Sequence, residues 1–236
     1  SNATATLTNA VTSSDLTKFG GGTLALTSFN SLGDIFVQAG TLASAEGMSL
    51  GSGNNVYLAN GTTLRSLGHQ FYVDNPDIEN VYDQNVQIGS GSVTLAVDST
   101  GGGRMTSIGE ISSGSVAPVT INKTGGGSAT FAGSFAITSG ATLNVNQGVA
   151  NMNTDLGTEN LSVNVNGTAA AHFGVTQQVA AVSVNNSATA TIGDAELDAQ
   201  DDLLAFCRYV SPGFRTVPHL RKIADALERV ANGELK

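Results

Sequence analysis

Short apolar alternations separated by glycine and asparagine dominate the first four-fifths of the chain. Thr23-Leu24-Ala25-Leu26, Val56-Tyr57-Leu58, Val93-Thr94-Leu95-Ala96-Val97, Thr142-Leu143-Asn144-Val145 and Leu161-Ser162-Val163-Asn164-Val165 each alternate with period two. Each is too short for a helix, so the pattern predicts many short β-strands. The separators are the stretch 51–55, Asn60-Gly61, Gly89-Ser90-Gly91, Gly101-Gly102-Gly103, Asn166-Gly167 and Asn185-Asn186. Glycine and asparagine tolerate positive φ, which sharp corners require. From Ala195 onward the period changes. Leu220, Ile223, Ala224, Leu227 and Val230 make one apolar stripe at helical spacing, with Pro218 suited to a first turn and Asn232-Gly233 to a C-terminal cap. Asp198, Asp201 and Asp202 precede an earlier apolar run, Leu203–Cys207, and Ser211-Pro212-Gly213 breaks it. Residues 195–236 are therefore expected to form two helices that cover the end or side of the preceding β-structure.

Composition separates the two architectures that many short strands allow. A sandwich uses longer strands and a charged outer surface. Here only 12% of residues are charged and 6% aromatic, with no tryptophan and 29 glycines. Outward positions carry Ser, Thr and Asn, which suits stacked coils in which like residues sit above one another about 4.8 Å apart. The expectation is an all-β solenoid over residues 4–194, with about eight coils.

An internal repeat supports it. Leu16-Thr17-Lys18-Phe19-Gly20-Gly21-Gly22-Thr23-Leu24-Ala25-Leu26 recurs as Ile121-Asn122-Lys123-Thr124-Gly125-Gly126-Gly127-Ser128-Ala129-Thr130-Phe131. Each copy is followed by a strand and a small turn, at 35–42 and 135–143. The unit is expected to be one coil, with apolar residues inward, a triple-glycine corner, and the lysine outside. This unit resembles the autotransporter-associated β-strand repeat, as does the lead-in Ile108–Gly114. The resemblance implies a right-handed parallel β-helix on a secreted or surface-displayed passenger, in an extracellular or outer-membrane location. It implies no activity; a glycan or host-surface ligand is the expected partner.

A second resemblance covers only the C-terminal stretch, about 199–236. Asp202–Phe214, Pro218-His219 and Ile223–Glu234 look like the extreme N-terminus of phage terminase large subunits. The chain carries no Walker motif or nuclease carboxylate cluster, so that family's activities transfer to no residue here. Ser1-Asn2-Ala3 resembles the scar left when a protease removes an affinity tag, and a leader removed before cloning would fit that reading.

Charge and chemistry narrow the function further. The net charge is −9, and residues 1–195 hold four basic residues (Lys18, Arg65, Arg104, Lys123), too few to bind a phosphate backbone. No apolar run approaches the roughly 20 residues of a membrane span. The lone Cys207 excludes an internal disulfide and reads as a helix core residue. His69, His172 and His219 lack metal-ligand spacing, and strand-forming residues follow the first and third glycine triplets, so the triplets read as turns rather than phosphate cradles. Arg208, Arg215, Arg221, Lys222 and Arg229 alternate with acids, as a solvated face does. No catalytic, cofactor or metal site is expected. The one candidate binding site is the stretch 71–83. Asp74, Asp77, Glu79 and Asp83, with Tyr72 and Tyr82, have the chemistry of a carbohydrate or calcium site, and the alternative reading is a carbohydrate-cleaving β-helix that uses such carboxylates as acid and base.

Overall fold

A computed structural model of the chain describes residues 3–67, 81–98, 104–107, 109–114, 116–138, 140–156 and 161–192. These residues form a parallel β-solenoid. The predicted two-helix segment at 195–236, its terminase-like stretch and Gly101–Gly103 lie outside the described residues.

Twenty-one strands, numbered in chain order, fall into three parallel sheets. The first sheet stacks β1 (Thr4–Leu7), β3 (Thr23–Leu26), β5 (Thr41–Ser44), β7 (Thr63–Ser66), β10 (Gly91–Val97), β13 (Val119–Thr124), β16 (Ala141–Val145), β18 (Leu161–Val165) and β20 (Ala181–Val184). The second stacks β2 (Thr12–Lys18), β4 (Ser31–Val37), β6 (Asn55–Leu58), β9 (Asn85–Ile88), β12 (Ile111–Ser113) and β15 (Phe135–Ala136). The third stacks β8 (Val81–Tyr82), β11 (Arg104–Ser107), β14 (Ser128–Phe131), β17 (Val149–Met152), β19 (Ala170–Phe173) and β21 (Thr189–Ile192). Nine strands of the first sheet make about eight turns, as the sequence predicts.

The period-two pattern sets which side chains form the core. One inward column of the first sheet runs Ala5, Leu24, Leu42, Leu64, Leu95, Lys123, Val145, Val165, Val184, one residue per coil. The adjacent outward column runs Thr4, Thr23, Thr41, Thr63, Thr94, Asn122, Asn144, Asn164, Ser183. Coil length varies, from 18 residues between Thr23 and Thr41 to 31 between Thr63 and Thr94, yet the register is kept. The added residues therefore fall between the paired strands rather than within them. Asparagine amides tie the later coils together: Asn144 Nδ2 donates to Asn122 Oδ1 at 3.0 Å, and Asn164 Nδ2 to Asn144 Oδ1 at 3.0 Å. A second ladder runs Asn185 to Asn166 to Asn146, each bond 2.9 Å.

The lysine of the repeat overturns the outward expectation. Lys123 is 0% exposed and occupies the apolar column between Leu95 and Val145. Its Nζ donates to the carbonyls of Thr124 (3.2 Å), Gly125 (2.8 Å), Gly127 (2.7 Å) and Gln147 (2.8 Å). A buried ammonium is tolerated only when its N–H groups find such partners. The triple glycine supplies them: Gly125 takes φ +75, and the corner turns its carbonyls toward the ammonium. Lys18 repeats the arrangement, donating to Phe19 O at 2.9 Å, Gly20 O at 2.5 Å and Ala39 O at 2.9 Å.

The second correction concerns phase. The repeat is not one coil in a fixed frame. In the first copy the corner joins β2 of the second sheet to β3 of the first; in the second copy it joins β13 of the first sheet to β14 of the third. The unit specifies a corner, and that corner is used at two different edges of the solenoid.

Candidate functional site

The described residues place the sequence-predicted cluster only in part. Asp74, Asp77, Glu79 and Tyr72 lie outside them. Tyr82 is 2% exposed, because β8 alternates with Val81 outward and Tyr82 inward. Its hydroxyl lies 2.9 Å from Ser44 Oγ. Asp83 accepts from Ser52 Oγ (2.7 Å) and from Gln84 Nε2 (2.7 Å). Gln84 Nε2 also donates to Gly51 O at 2.7 Å, so Asp83 and Gln84 together fasten the loop that follows the 3-10 turn Gly47–Leu50. His172 sits on the outward side of β19. Among the described residues no three His, Cys, Asp or Glu side chains gather as a metal site. Among them, too, no helix is long and apolar enough to cross a membrane.

The structure brings together a set of residues that sequence reasoning did not single out. Phe36 on β4 and Tyr57 on β6 are in register on the outward side of the second sheet. Their rings stack with centroids 4.7 Å apart and planes 4° from parallel, matching the coil-to-coil spacing. The same column continues through Gln87 and Ser112. Two residues before each ring position lies a polar one: Asp34, Asn55, then Asn85. Asp34 Oδ1 accepts from the Asn55 backbone N–H (3.2 Å) and from Asn55 Nδ2 (2.9 Å), and Asp34 Oδ2 accepts from the Tyr57 hydroxyl (3.3 Å). Asn85 Nδ2 donates to Asn55 Oδ1 at 3.3 Å. Desolvation first, then the charge and hydrogen bond of Asp34, hold the Tyr57 phenol above its ordinary pKa, so it stays a neutral donor through the physiological range.

A groove of about 250 Å³ runs beside this column, with both Phe36 and Tyr57 in its lining. Gln38, Tyr57, Gln87, Gly89 and Gly114 are among its lining residues. Gly89 and Gly114 bring no side chain to it. The signal for this site is weak in the sequence, because Phe36 and Tyr57 are separated by a whole coil. Only the register, once known, makes them neighbours.

No family model, curated protein or solved structure matches the chain.

Proposed function

We propose that this chain is a non-catalytic structural or adhesive module of the autotransporter passenger type, displayed outside the bacterial cell or on its outer-membrane surface. One observation carries the reading: the Lys-x-Gly-Gly-Gly unit occurs twice within a parallel solenoid and builds the same corner both times. That unit is what resembles the autotransporter-associated repeat. The outward ladders of Thr and Asn support an adhesive role, since they give a regular uncharged surface with many donors and acceptors. The polar residues on the second sheet are engaged with one another, as Asp34 is with Asn55 and Tyr57, which suits a fixed binding surface better than a proton-transfer site.

Two measurements test it. Antibody labelling of intact cells of the native host should detect the chain at the surface; signal only after lysis would remove the localisation. Incubation with plant and bacterial polysaccharides should release no reducing ends or unsaturated products, and sustained turnover would overturn the non-catalytic reading.

A further inference from the structure

We propose that the outer face of the second sheet holds a binding site for one ring of a neutral carbohydrate, seated against Tyr57 in the groove that faces Gln87. The inference rests on the adhesive reading above and names the ligand class for it. The Phe36–Tyr57 stack uses one face of each ring. The strand order β4, β6, β9 turns the second face of Tyr57 along the solenoid toward Gln87. No aromatic ring follows at that step, and the groove that Phe36, Tyr57, Gln38 and Gln87 line lies beside it. A Cβ on Gly114 would come within 3.2 Å of Gln87 Nε2, so the Gln87 side chain extends toward the Gly114 coil. Tyr57 and the amides of Gln38 and Gln87 thus line one groove.

A pyranose ring presents an apolar C–H face and a rim of hydroxyls. The C–H face suits the electron-rich face of a tyrosine. The hydroxyl rim suits Gln87 and Gln38, whose amides offer donors and acceptors at the groove edge. Charge selects among sugars. Among the described residues no Lys or Arg lines the groove, and Asp34 lies next to the Tyr57 hydroxyl. A uronate or sulfated sugar would meet a like charge with no cation to offset it, so the ligand is neutral. The groove volume of about 250 Å³ takes one ring rather than a folded partner. Asp34, itself held by Asn55, accepts from the Tyr57 hydroxyl, which fixes the ring plane before the ligand arrives and lowers the entropy lost on binding.

The test is calorimetric titration of the full chain with cellohexaose, laminarihexaose, mannohexaose and chitohexaose, with hexagalacturonate as the charged control. At least one neutral hexasaccharide should bind with a Kd on the order of 0.1–1 mM, the range of a single-ring contact, and the uronate should not. Tyr57→Ala should weaken that binding about tenfold or more, whereas Tyr57→Phe should keep most of it. Gly114→Leu keeps both rings, fills the groove and displaces Gln87 from its Cγ outward, so it should block binding, with the unfolding midpoint measured alongside to separate lost binding from lost stability. No binding by any neutral hexasaccharide at 10 mM on the order of the assay's reach, or binding that both Tyr57→Ala and Gly114→Leu leave intact, overturns the proposal. Cleavage of a bound hexasaccharide would overturn the non-catalytic reading and leave the site standing. Surface display without sugar binding would do the reverse.

Discussion

The corner at Gly20–Gly22 and the corner at Gly125–Gly127 have nearly the same sequence and the same internal geometry, yet they stand at different edges of the solenoid. In both, the lysine two residues before the first glycine turns inward and its ammonium bonds the carbonyls of the next two residues. In both it also reaches the corner of the following coil, at Ala39 or Gln147. In both, a positive-φ glycine of that next corner lies directly on the triple glycine. A Cβ on Gly40 would sit 2.4 Å from Gly22 O, and one on Gly148 would sit 2.3 Å from Gly127 O. What differs is the surroundings. Lys123 has coils on both sides, with Leu95 before it and Val145 after it, and is 0% exposed. Lys18 belongs to the first strand of its sheet, has register partners only in the coil that follows, and is 7% exposed. The repeat thus encodes a portable corner held by a tethered cation, and position in the stack sets how strongly each copy depends on that cation.

The largest expected effect is at Lys123. Lys123→Met keeps the volume but leaves four carbonyls without their ammonium, and should cost about 3–5 kcal/mol in urea unfolding. Lys18→Met loses three such bonds at a more accessible site and should cost about half of that. Equal losses would break the distinction between the two corners. Next comes Gly148→Ala, which meets Gly127 O and must also adopt φ +66; about 2–4 kcal/mol is expected. Gly61→Ala is its control, with φ +76 and nothing within 4 Å of the added Cβ, and should cost only about 1 kcal/mol. The difference between the two isolates the contact between stacked corners.

The titration of Lys123 adds a dependence on pH. Burial lowers its pKa from 10.5 to about 8. Below pH 8 the folded and unfolded chains both carry the proton. Between pH 8 and 10.5 the folded chain gives it up first, so the unfolded chain binds more protons and stability rises with pH. Lys123→Met should flatten that part of the stability profile. A wild-type profile that falls across this interval relative to the variant would mean that the four carbonyls outweigh burial. The smallest effect is expected from Asn144→Ala in the middle of the amide ladder, about 0.5–1.5 kcal/mol on a partly solvated face.

Much of the fold was legible in the sequence. Thr23–Leu26 and Leu161–Val165 are strands with the bounds that their alternation marks, and Asn186 takes φ 61 in a separator read as a corner. The inward lysine departs from the sequence expectation because charged residues are mostly exposed. The alternation itself held the answer: in Leu16-Thr17-Lys18 and Ile121-Asn122-Lys123 the lysine has the same parity as the apolar residue, so it faces the same way. The phase of the repeat was hidden for a different reason. A corner signal says that the chain turns, not which two sheets it joins. The candidate site illustrates the limit of local reading. The carboxylates at 74–83 draw the eye because they are contiguous, and alternation then turns Tyr82 inward. Phe36 and Tyr57 meet only through the register of β4 with β6, which depends on the length of the loop between them.

The buried lysine is the central claim, and amine labelling tests it most directly. The native chain would be treated with an amine-reactive ester at neutral pH and the modified lysines identified by mass spectrometry, with a urea-unfolded sample alongside. The account predicts that Lys123 stays unmodified in the folded chain, reacts fully in urea, and that Lys18 reacts at an intermediate rate. Labelling of native Lys123 as fast as in the unfolded chain would place its ammonium outside the solenoid and contradict the account.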